Sequence, residues 1–202
     1  MKKLLIMIML ATSINVFADG VTALNSFLKN QMTSANFSQT VFGNKKNRVS
    51  TGVMEISRPN KFRWEYIEDG QLIVSDGKTI YIYDKPLAQV TEKKLDNSIG
   101  KSPALLLSGG SNIKNDYIVS NIKESDDGVS WVNLVAKKVS DNNGFKLVQI
   151  GFRRDTLAEM KFVDSFNNKS MITFTNVKYM VQIPASDFIF TPKPGVDVIK
   201  AN

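Results

Sequence analysis

Neither cysteine nor histidine occurs anywhere in the 202 residues. Their absence removes disulfides, thiolate nucleophiles, the usual zinc ligands and the commonest general base together. Stability must then come from packing, and neither a metal nor a cofactor is expected. Carboxylates remain, but Asp69, Asp76, Asp126 with Asp127, and Asp141 sit beside Gly or Asn. Turn formation is the simpler role for such residues, and nothing in their spacing selects a catalytic pair. An enzyme is not expected. No stripe of Lys and Arg interleaved with aromatics is present either, so nucleic acid is not an expected partner. Beyond the N-terminus no apolar run approaches the roughly 20 residues that a spanning helix needs.

That N-terminus, MKKLLIMIMLATSINVFA, has two lysines, an apolar run from Leu4 to Leu10, and Val16 and Ala18 at the small-residue positions of a cleavage site. It reads as a secretory signal peptide over residues 1–18, cleaved near Ala18. Polar Thr12, Ser13 and Asn15 argue against a retained anchor. The mature chain is expected to be exported and soluble, and without cysteine it has no site for N-terminal lipidation. Residues 19–202 suit one domain, with no linker or repeat in view. They carry 24 basic and 19 acidic side chains, a scattered net charge of +5. An excess of that size gives a mild attraction to anionic membrane surfaces or acidic partners.

After Asp19, residues Val21, Leu24, Phe27 and Leu28 fall at helical spacing and predict an amphipathic helix. From Phe37 the period is two. FSQTVF, STGVMEIS, KFRWEYI, QLIVS, TIYIY and LAQVTE form one series of strands, and YIVSN, VSWVNLVAK, FKLVQIGF, LAEMKFVD and SMITFTNV a second. Asp76-Gly77 reads as a hairpin turn. Between the series lies SPALLLSGG, in which Ser102 can cap a short helix, Pro103 can open it, and Gly109 with Gly110 can stop it. The reading is a helix lodged between two sheets of strands. Many antiparallel strands with few helices indicate a curved sheet or barrel, open or closed.

Two features depart from simple alternation. QLIVS and TIYIY are apolar on both faces, so both must be shielded: by helices on one side and a core on the other, or by a face that lines an apolar cavity. In MEISRPNKFRWEY, Arg58 shares a strand face with Met54 and Ile56. It either sits on a wet rim before Pro59 or turns inward, where the last carbonyls of the short helix, Leu105 to Ser108, would be natural acceptors.

Residues 52–90, with Arg58-Pro59, Phe62, Trp64, LIVSDGK, Tyr81, Tyr83 and Gln89, resemble the signature region of the LolA family of periplasmic outer-membrane lipoprotein carriers. SPALLLS, the later hairpins and FIFTPKPGVDVI at 188–199 extend the resemblance over the mature chain in order. It implies a mainly β fold: an incomplete, strongly curved antiparallel β-barrel with a lid of short α-helices. It also implies a non-enzymatic, monomeric chaperone that takes lipoproteins by their acyl chains from an inner-membrane ABC transporter and delivers them to the outer-membrane receptor LolB. Arg58 matches the family's lid latch. Phe27, Met54, Ile56, Phe62, Trp64, Leu106 and Leu107 match acyl-chain cavity or lid positions, with ordinary packing as the competing role. Ala104 stands where some relatives have a larger side chain, and the basic loop 43–48, GNKKNR, has no assigned role. A lipid-binding or sensor module on the same half-barrel is the alternative function.

Overall fold

Period-two patterning along most of the chain becomes one sheet of twelve strands in the computed structural model, which describes residues 19–95, 102–109, 113–122, 128–137 and 145–201. The expected signal peptide, Gly110, Asp126, Asp127 and Asp141 lie outside the described residues. The first series of strands comprises β1 (Met32–Phe42), β2 (Arg48–Ser57), β3 (Lys61–Tyr66), β4 (Gln71–Asp76), β5 (Thr79–Asp84) and β6 (Gln89–Lys94). The second comprises β7 (Tyr117–Asn121), β8 (Ser130–Ala136), β9 (Phe145–Arg153), β10 (Thr156–Asp164), β11 (Lys169–Tyr179) and β12 (Asp197–Ala201). Three helices accompany them: α1 (Gly20–Lys29), α2 (Pro103–Ser108) and α3 (Ile113–Asp116), with a 3-10 turn at Ala185–Phe188.

The strand order is β12-β6-β5-β4-β3-β2-β1-β11-β10-β9-β8-β7, and the sheet is not closed into a barrel. The two expected sheets are therefore one, because β1 pairs with β11 along nearly its whole length. All neighbours are antiparallel except β12, which runs parallel to β6. Asp76 makes the expected turn, its carboxylate accepting from the backbone N–H groups of Lys78 and Thr79. Register places Ala35, Met54 and Trp64 in one inward row and Thr33, Ile56 and Phe62 in the next. Trp64 and Phe174 lie three strand spacings apart, roughly 14 Å in a flat sheet, yet their ring centroids are 6.2 Å apart with Phe37 between them. The inner face is thus concave. Phe37 fits there because Gly52 faces it: an added Cβ would lie 2.5 Å from the ring's Cζ.

Both faces of β4 and β5 are covered. Ile73 and Ile80 pack toward the concave core. On the convex side Val74 and Val90 are buried beneath the C-terminal stretch, whose 3-10 turn lies on β3 and β4 and whose Phe190 packs on Tyr81 and Tyr83. A second convex-side contact sits on β8 to β10. The Trp131 indole crosses over Gly151, and the Lys161 ammonium lies 3.9 Å from its centroid, a cation–π arrangement.

Docking of the C-terminal stretch brings Asp187 toward Glu55 on β2. Burial first, then the Asp187 charge, raise the Glu55 carboxyl above its ordinary value of 4.5. A raised folded value means that ionised Glu55 opposes folding: the penalty is absent below 4.5 and complete once the pH exceeds the folded value. Glu55→Gln should raise the Tm at about pH 7 and leave it unchanged near about pH 3.5. Equal shifts at the two pH values would show that the ionised carboxylate is not the source.

Candidate functional site

The concave side is filled from both halves of the sheet. Asp19 caps α1, its carboxylate accepting from the Thr22 N–H at 2.8 Å, and Ala23, Leu24 and Phe27 face the strands β7 to β10. Gly20 at the start of this helix lies directly on the backbone of Trp131 and Val132, where a side chain would not fit. On the other half, Ser102 caps α2 by accepting from the Leu105 N–H at 3.1 Å, and Pro103 occupies the first turn. Both were legible in the sequence. Because α2 rests on β2 and β3, its Ala104, Leu105, Leu106 and Leu107 are all buried against Met54, Ile56, Phe62 and Trp64.

All seven predicted cavity or lid residues, Phe27, Met54, Ile56, Phe62, Trp64, Leu106 and Leu107, belong to this one cluster, and none is more than 1% exposed. The concavity they line is occupied by the helices' own side chains. Each buried leucine contributes about 1.5–3 kcal/mol, so the three of α2 hold it to the sheet by on the order of 5–9 kcal/mol.

Arg58 turns inward. It follows β2, joined to Pro59 by a cis peptide bond, and only 7% of it is exposed. Its Nη2 donates to the Leu107 carbonyl at 2.9 Å, as the reading of free helix-end carbonyls expects. Nη1 donates to the Asn30 carbonyl at 2.5 Å and, more weakly, to the Thr33 hydroxyl at 3.4 Å. The guanidinium carbon stands 4.4 Å from the Phe27 ring centroid. Next to it, the Asn60 N–H donates to the Ser108 carbonyl at 2.9 Å, so both final carbonyls of α2 are gripped by the 58–60 turn.

Among the described residues no carboxylate forms an ion pair with Arg58. Burial pulls its guanidinium down to about 10, which leaves it charged at neutral pH. Its Nε has no hydrogen-bond partner among the described residues. Hydrogen bonds to a charged group are worth about 1.5–3 kcal/mol each, and a buried ion's desolvation costs several kcal/mol. The two are of similar size. The arrangement fixes α2 by bonds to its last two carbonyls.

Asn30, Thr33 and Tyr179 escaped the sequence reading. Asn30 contributes a backbone carbonyl, which has no sequence signature. Tyr179 packs edge-on against Phe27, its ring centroid 6.2 Å away, while its hydroxyl accepts from the Leu157 N–H. Alternation from Ile172 and Phe174 alone would turn Tyr179 outward; the irregularity around Asn176, where the register with β1 slips, brings it inward and leaves no pattern to read. The basic loop 43–48 lies at the opposite end of β2 from Arg58 and joins none of these contacts.

If these bonds hold α2 in place, Arg58→Leu should speed amide hydrogen exchange over residues 103–108 by about tenfold or more, with β9 and β10 unchanged. Arg58→Lys should lie between. Exchange at the wild-type rate in Arg58→Leu would mean that the leucines alone hold the helix.

The family model described as "Outer membrane lipoprotein carrier protein LolA" matches residues 29–191. The outer-membrane lipoprotein carrier protein of Chromobacterium violaceum is 40% identical over 187 residues, covering 92% of this chain and 89% of that protein. The protein of the same description from Dechloromonas aromatica is 39% identical, covering 90% and 88%. Among solved structures, an uncharacterized conserved protein from Thermus thermophilus superposes with a TM-score of 0.54 at 9% identity, over 90% of this chain and 96% of that one. That likeness concerns the fold alone. The family match and the identity over nearly the full length establish that the chain belongs to the LolA family of outer-membrane lipoprotein carrier proteins.

Proposed function

We propose that the protein is a periplasmic carrier, a single domain over 19–202 that follows a cleaved signal peptide and shields lipoprotein acyl chains on its concave face. The carrying observation is the replaceable filling of that face: three leucines of α2, seated on Met54, Ile56, Phe62 and Trp64, and tied down by one arginine. An acyl chain in water costs about 0.8 kcal/mol per methylene, on the order of 10 kcal/mol for a long chain. That is comparable to what the α2 leucines gain by burial. Cargo can therefore displace the helix with little net change in buried apolar area, and the Arg58 bonds decide the balance between the empty and loaded forms.

In this reading Arg58 is the lid latch. Phe27, Met54, Ile56, Phe62, Trp64, Leu106 and Leu107 are the surface that acyl chains contact once α2 has lifted. An inner-membrane ABC transporter loads the carrier, and the receptor LolB accepts the cargo. No chemical step is required of the carrier: closure of α2 reclaims the apolar face and expels the chains.

Mature protein purified from its native host should bring lipoproteins with it in mass spectra. Free lipids alone, or nothing, would count against the carrier reading. Arg58→Leu, which weakens closure, should retain more cargo and transfer it to the receptor about tenfold more slowly. Transfer at the wild-type rate would sink the latch.

A further inference from the structure

The end of the sheet opposite Arg58 has no part in the carrier site, yet its surface is unlike the rest. Register across the convex face aligns Ile118, Val135, Leu147, Val163, Lys169 and Phe42 in one row over six strands. Convex-side alternation calls for polar residues in such a row, and five of these six are apolar. Beside it a groove of about 240 Å³ is lined by Phe42, Leu147, Val163 and Met171 together with Lys161 and Lys169. The turn between β10 and β11 projects Phe166 into solvent at 81% exposure, and Phe42 is 46% exposed.

Among the described residues basic side chains outnumber acidic ones at this end. Lys45 and Lys46 come from the loop between β1 and β2, Arg48 from the start of β2, Lys146 and Lys161 from β9 and β10, and Lys169 from β11. The carboxylates nearby face solvent, but each is engaged by neighbouring groups. Asp69 binds the Ser50 hydroxyl and pairs with Arg48 at 3.0 Å, and Glu68 binds Thr51. Asp164 accepts from the backbone of Phe166 and Asn168.

We infer that this end docks the protein on an anionic phospholipid surface. Exposed aromatic and aliphatic groups among lysines suit the headgroup boundary, where apolar side chains enter the acyl region and ammonium groups meet phosphates. An acidic protein patch would match the charge but would leave the projecting Phe166 without an apolar host. β2 separates this surface from Arg58 by ten residues, roughly 33 Å of strand, so the lid stays free while the protein is docked.

The test is flotation of the mature protein with vesicles of phosphatidylglycerol and phosphatidylcholine, against vesicles of phosphatidylcholine alone. Binding is expected on the anionic vesicles at low salt and is lost at about 0.5 M salt. Near an anionic surface each lysine is worth about fivefold, so Lys45→Gln with Lys46→Gln should weaken binding about thirtyfold, and Phe166→Ala should weaken it several-fold. All three positions are exposed, and the variants should unfold at the wild-type temperature. Equal binding to neutral vesicles would overturn the proposal. So would indifference to these substitutions, or capture by polyglutamate without binding to anionic vesicles.

Discussion

A guanidinium whose described acceptors are all neutral joins both concave-side helices to the sheet. Arg58 reaches the end of α1 through the Asn30 carbonyl, the end of α2 through the Leu107 carbonyl, and β1 through Thr33. Each acceptor is a dipole and none is a charge. A carboxylate in the same place would bind far more tightly, and breaking such a pair would strand two buried ions. Carbonyls at helix ends behave differently: when the helix moves away they find water, and the arginine is the one ion to be rehydrated. The chemistry of the acceptors thus sets a holding force that apolar burial can outweigh.

The sheet makes that balance possible by dividing its apolar surfaces between two covers. The concave cover, α1 and α2, is attached at its ends and by side-chain packing. The convex cover over β4 and β5 is held by the 3-10 turn, by Phe190 on two tyrosines and by β12 paired to β6. In the proposed carrier cycle the second cover would keep the wall intact as the first is displaced, since Val74 and Val90 are buried from outside. Without it, lifting α2 would leave strands apolar on both faces wet on both.

Much of this was legible in the sequence because it depends on side-chain period and on caps. The strand series, the α1 stripe of Leu24 and Phe27, and the Ser102-Pro103 start of α2 all follow from local pattern. The inward turn of Arg58 was an open choice, and the Leu107 carbonyl settled it as a helix-end acceptor. What could not be read depends on partners distant in the chain. Asn30 acts through its backbone, the parallel pairing of β12 leaves no mark in DVIKA, and joining of the two strand series through β1 and β11 is a matter of register. β1 begins at Met32, five residues before the Phe37 start of the period-two reading, because the small polar residues of MTSAN alternate with little contrast, yet Thr33 and Ala35 are buried there.

In a closed barrel the number of strands and their stagger fix the diameter. Here the ladder ends at β7 on one side and β12 on the other, with no hydrogen bonds joining the two. The girth of the concavity is therefore not quantised by strand count. Small changes of twist, spread over eleven strand pairs, can widen or narrow the trough without breaking a bond of the ladder, so a guest's cross-section can set the bore.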